Sequence, residues 1–170
     1  MKKLKTISIV LLIANSVIAQ QNNIATKLAI LGSWTLVSVK NINADGTKTF
    51  PYGTDPRGIL FFDERGNYAI QIYKNERPKI VSGDKNKCTA EENAAIVQGS
   101  NSHFGEYEID ETNKIITFKI KTASFPNWEG TEQKRYFVYD NNEIKYVVTN
   151  TTQGGKSVTA EVVWKKLKME

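Results

Sequence analysis

Cysteine is almost missing from this chain: Cys88 is the only one in 170 residues. One cysteine makes no internal disulfide, so stability has to come from a buried core. Histidine is equally scarce. His103 stands alone, and one histidine with no other soft ligand nearby does not make a zinc site. Ser82, Ser102 and Ser124 lie in no G-x-S-x-G elbow, which removes the commonest hydrolase signature. No apolar run reaches the ~20 residues needed to span a bilayer. No cofactor motif is present, and no cofactor or metal is expected.

Basic charge is also less abundant than it first looks. The formal net charge is +5, but Lys2, Lys3 and Lys5 supply three of those charges. They precede a short apolar stretch at Ile7 to Ile13 and Val17 to Ile18, followed by Gln20-Gln21-Asn22-Asn23. That order of charge, apolar segment and small residues reads as a signal peptide over 1–19, hence an exported protein, periplasmic or secreted. No cysteine follows it, so lipid attachment at a new N-terminus is not expected. Residues 20–170 then carry a net charge of +2. Their lysines are interspersed with acidic residues, which argues against a nucleic-acid face. No integral membrane span is expected once the signal is removed.

What is present is an ordinary globular balance, 40% apolar and 24% charged, long enough for one domain with a real core. The stretch Asn23 to Leu31 shows helical spacing at Ile24, Leu28, Ala29 and Leu31, ended by Gly32, so 20–30 is expected to be an N-terminal segment with a short helix. From Trp34 onward the period changes to two. Tyr68, Ile70 and Ile72 alternate, as do Ile116, Phe118 and Ile120, and Val158, Ala160, Val162 and Trp164. Asp45-Gly46, Asn141-Asn142 and Gln153-Gly154-Gly155 mark turns between strands. One segment inside this pattern looks helical: Thr89-Ala90-Glu91-Glu92 has the form of a capping box leading into 93–97. The pattern predicts an all-β antiparallel barrel or sandwich of eight to ten strands, with a short N-terminal helix and one inserted helix.

PYGTDPRGILFF, at 51–62, is the one stretch that imitates a phosphate loop. Its glycines lie five apart, but no Lys-Ser/Thr follows them, the prolines remove N–H donors, and the next segment is a strand. It reads as tight turns that aim a strand starting at Arg57.

Gly32-Ser33-Trp34 resembles the Gly-x-Trp signature of lipocalins. LGSWTLVSV (31–39), PYGTDPRGIL (51–60), FGEYEID (104–110) and FPNWEGTEQKRYF (125–137) together resemble the bacterial and fungal lipocalin-like domain family. The resemblance implies an antiparallel lipocalin-like barrel over 31–168 with an apolar lumen, open at one end. It implies a structural Trp34 at the closed end, packed under a basic side chain.

Strand parity supplies site candidates. Lys134 belongs in solvent, which turns Gln133, Arg135, Phe137 and Tyr139 inward. A buried arginine needs a partner: Glu106, Glu132 or an anionic ligand. Trp128, in a proline loop, is a candidate pocket rim. Tyr52, Arg57, Tyr73 and Arg77 are candidates for the mouth. Phe61, Tyr68, Phe118, Phe137 and Tyr146 are expected to line the lumen, with the inserted helix near 89–100 as a lid. The ligand-binding set is therefore Tyr52, Arg57, Trp128, Gln133, Arg135 and Phe137, for a small hydrophobic or amphipathic molecule. No catalytic residue is assigned. The alternatives are an isomerase, cyclase or hydrolase using Arg135 with His103 or Glu132, and a filled barrel that binds another protein.

Overall fold

Alternating side chains build nearly the whole architecture. The computed structural model describes residues 28–153 and 156–167, so the signal-peptide reading, residues 20–27 of the expected N-terminal helix and the 154–155 turn lie outside the described residues. The strands are β1 (Gly32–Ile42), β2 (Lys48–Thr49), β3 (Arg57–Phe62), β4 (Asn67–Tyr73), β5 (Ser100–Asp110), β6 (Ile115–Ala123), β7 (Glu132–Asp140), β8 (Glu143–Gln153) and β9 (Lys156–Lys166). β1 and then β3 to β9 pair antiparallel in chain order, and β9 returns to β1. Eight strands thus close a barrel and leave no free sheet edge between them. β2 is a ninth, short strand at the far end of β1, pairing Asn41 with Thr49 and Ile42 with Lys48.

Local chemistry explains the corners. Asp45 accepts from the Thr47 amide at 2.9 Å, and Gly46 turns the chain with φ 81° into β2. Asn141 and Asn142 both adopt left-handed backbone, φ 47° and 63°, the conformation of a two-residue type I′ hairpin. The 51–56 stretch is turn and bend, and β3 starts at Arg57. No helix opens there, as the prolines require.

The barrel interior splits into a sealed apolar base and an upper half in which polar and apolar side chains both face inward. At the base lie Trp34, Leu60, Phe62, Ile116, Phe137, Ile144 and Trp164, all buried. Residues 28–30 are helical and close this end. The Trp34 indole donates to the Ile30 carbonyl at 2.8 Å, the Lys166 ammonium lies 5.4 Å from the ring centroid, and Lys166 also donates to Ala29 O at 2.5 Å. Trp34 is therefore the plug under a basic side chain that the family resemblance implied.

Two irregularities aim the upper half. The β1–β9 register shifts between Leu36 and Ser38, which moves the inward face from Trp34 and Leu36 to Val39 and Asn41. A second shift falls between Phe104 and Gly105 on β5. A side chain at Gly105 would place its Cβ 2.0 Å from the Lys119 carbonyl oxygen, so only glycine admits this approach.

Two expectations are corrected. Phe61 points outward and is 43% exposed, because β3 pairs Phe62 with Tyr68 and Leu60 with Ile70 across the inner face. The inserted helix α1 (Ala90–Gln98) has its capping box at Thr89 and Glu92, but buries none of its residues. It rides outside the barrel on β5 and is not a lid.

Candidate functional site

At the end of the barrel opposite Trp34 lies a cavity of about 390 Å³. This is within the usual range for small-molecule sites. Its two sides differ in chemistry. From β5 and β7 and the loop between β6 and β7 come Asn101, His103, Trp128, Gln133 and Arg135. From β9 and β1 come Val158, Ala160, Val162 and Val39. In the strand order of the closed sheet, β9 is four strands away from β5, and β1 is four away from β6. A mainly polar wall therefore faces a mainly apolar one, with Phe118 of β6 set into the first and Asn41 of β1 into the second. Tyr52 and Pro51 of the corner stretch, with Thr149 of β8, complete the rim.

Arg135 is the cation of this wall. Its strand alternates outward and inward as parity requires: Glu132, Lys134 and Tyr136 are exposed, while Gln133, Arg135 and Phe137 turn in. One guanidinium nitrogen donates to the Gln133 amide oxygen, and another to the Lys134 carbonyl at 3.1 Å. A guanidinium only donates, so the Gln133 oxygen faces it and the Gln133 NH₂ is left to point elsewhere. Neither expected carboxylate partner is there. Glu106 is exposed and binds Lys121 at 2.6 Å, and Glu132 is exposed at the start of β7. Among the described residues no carboxylate forms an ion pair with Arg135. Burial pushes its pKa down, against the pull of the Tyr146 and Tyr68 hydroxyls.

His103 is the feature that sequence reasoning undervalued. It is only 7% exposed and lines the cavity. Its Nδ1 lies 2.8 Å from the Tyr68 hydroxyl. The imidazole meets Trp128 edge-on at 5.9 Å and Phe118 at 6.1 Å. Burial, reinforced by the nearby Arg135 charge, lowers its pKa to about 4, so it is neutral at physiological pH. Burial likewise raises Tyr68. The one available signal was its parity on β5, opposite to Glu106, which a lone histidine makes easy to overlook.

Two further groups shape the wall. Tyr52 is raised by burial and drawn partly back by the Asn101 amide, and among the described residues no donor reaches the buried Asn101 Oδ1. Tyr146 is raised by full burial and drawn partly back by Trp164. Among the described residues the Trp164 Nε1 makes no full hydrogen bond, so its contact with Tyr146 is a weak polar one.

Of the six predicted binding residues, the structure places Tyr52, Trp128, Gln133 and Arg135 on this cavity. Phe137 is buried beneath it in the core. Arg57 is exposed at the start of β3 and does not line it. Arg77 stacks over Tyr73 at 4.3 Å outside the cavity, so that pair does not crown its mouth. Of the predicted lumen residues, Phe118 and Tyr146 line the cavity, while Tyr68 reaches it only through His103. Among the described residues, no group of three or more His, Cys, Asp and Glu is disposed to hold a metal, and no helix is long and apolar enough to cross a membrane.

Residues 31–167 match the family model of a lipocalin-like domain. No curated protein matches the sequence. With an eight-stranded antiparallel barrel, a Gly-x-Trp plug at one end and a cavity at the other, this chain belongs to the lipocalin-like domain family.

Proposed function

We propose that this protein is exported and carries one small amphipathic molecule in the barrel lumen. The observation that carries the reading is the cavity of about 390 Å³ with polar and apolar walls facing each other. Burial of an apolar body against Val39, Val158, Ala160 and Val162 supplies the driving force, and the polar wall orients it. A cavity of this size argues against the filled barrel. Export rests on the N-terminal charge and apolar pattern; N-terminal sequencing of the protein recovered from its own host tests it, with Gln20 as the expected first residue.

Occlusion tests the cavity reading. In Ala160→Trp the indole occupies the space between the walls, because Ala160 is 9% exposed and borders the cavity above the sealed base. Affinity for any lumen ligand found in a panel of hydrophobic and amphipathic small molecules should fall about tenfold or more, at nearly unchanged melting temperature. Equal affinity in the two proteins would place the ligand elsewhere.

A second reading, proton transfer on the bound molecule, is favoured by one observation: a neutral imidazole, hydrogen-bonded to Tyr68, beside a cationic Arg135 in the same cavity. Chromatography and NMR of the ligand recovered after incubation separate the readings, since carriage returns it unchanged and proton transfer returns an isomer of the same mass.

A further inference from the structure

We propose that the lumen ligand is an anion with a planar oxyanion group, a carboxylate in the simplest case, seated on Arg135 and Gln133. This inference rests on the cavity-binding reading and names the chemical class that the cavity selects.

The argument starts from what Arg135 lacks. A guanidinium turned into a barrel gives up hydration, and proteins offset that loss with a carboxylate. The neighbours of Arg135 are instead neutral: the Gln133 amide, the Lys134 carbonyl, and the Tyr68 and Tyr146 hydroxyls. Two of its five N–H groups are used in the hydrogen bonds given above, and the others remain for a guest. The fork of a guanidinium matches the two oxygens of a carboxylate, and the Gln133 NH₂ adds a donor beside it. The titratable groups around this point are His103 from β5, Tyr68 from β4, Tyr146 from β8 and Tyr52 from the corner loop. None of them is an anion at neutral pH, so no side chain of the described wall competes for the cation. Trp128, Phe118 and Ile70 border the same space and would pack the flat body behind the head group.

A structural role for Arg135 makes a different forecast. A cation retained for stability would lower the melting temperature when replaced. A cation retained for a guest is unpaired without it, so Arg135→Met should melt at the same temperature or higher.

Benzoate and benzamide, which share shape and differ in charge, test the head-group preference directly. His103 is the only histidine, so its imidazole resonances need no assignment and report on this wall. Benzoate should shift them saturably below about 50 mM, at least about tenfold more tightly than benzamide. It should also raise the imidazole pKa from its value of about 4, because the anion cancels the Arg135 charge. Arg135→Met should abolish the preference, and Arg135→Lys should keep part of it at lower affinity. Equal behaviour of benzoate and benzamide, or a preference that survives Arg135→Met, would overturn the proposal. If panel compounds still bind in a manner sensitive to Ala160→Trp, the cavity reading stands without it. If benzoate is silent and no panel compound binds, both fall.

Discussion

Trp34→Ala should lower the unfolding free energy by about 3–5 kcal/mol in urea denaturation, with an unchanged m-value. Trp34 has no exposed surface and meets Tyr139 edge-on at 6.2 Å. Its truncation opens a void at the base, frees the Ile30 carbonyl from its indole donor, and leaves Lys166 without a ring to sit on. The residues lining the ligand cavity do not include it. Affinity of the folded fraction should therefore stay close to that of the native protein while stability falls. A loss under about 1 kcal/mol would mean that 28–30 and Lys166 close the base without the indole. A loss of affinity at full stability would mean that the two halves of the lumen are coupled.

His103 should make this barrel acid-sensitive over an unusually high window. The folded protein holds the imidazole pKa at about 4; an unfolded chain has it near about 6.5. Above that value both states are neutral and the histidine adds no pH dependence. Between about 6.5 and 4 the unfolded chain takes up a proton that the folded one refuses, so stability falls as pH falls. Over that window the loss amounts to about 3 kcal/mol. Carboxylates act in a lower range. Asp45, Asp63, Asp110 and Glu106 are held below their ordinary values by hydrogen bonds, and lose that stabilisation only as they protonate. His103→Gln keeps those carboxylates and removes the imidazole. The stability difference between native protein and variant should shrink by about 3 kcal/mol between pH 7.5 and pH 4. A difference that does not change with pH would show that the imidazole protonates as freely folded as unfolded. An anionic guest at Arg135 should soften the slope, since it removes one of the two causes of the low pKa.

Both predictions draw on features with different histories in the sequence. Local patterns were legible because they depend on neighbours in the chain. Asn141-Asn142 specified a left-handed two-residue turn, and Thr89 with Glu92 specified a helix start. Lys134, which belongs in water, forced Arg135 inward by alternation alone. The prolines of 51–56 ruled out a phosphate cradle for the same reason. The candidate cavity was half legible: parity found Gln133 and Arg135, and the loop proline pointed to Trp128.

The rest needed partners far apart in the chain. Alternation cannot say which parity faces in when both are apolar, so Phe61 was placed by the pairing of β3 with β4. Nor does it anticipate a bulge. The shift at Leu36 and Ser38 is a property of β1 against β9, and it alone turns Val39 and Asn41 toward the lumen. Glu106 and Glu132 looked as able as a ligand to neutralise Arg135, until the register put one on Lys121 and both in solvent. His103 became a site residue because β4 brings Tyr68, and the β6–β7 loop brings Trp128, to an imidazole that has no neighbours of interest in sequence. By itself, then, the sequence determined the strands and the turns, since hydrophobic period and turn chemistry act over a few residues, while the base closed by Trp34 was legible only through the family resemblance. Only the closed sheet decided that a lone histidine and an unpaired arginine share one wall, because strand register is a long-range property.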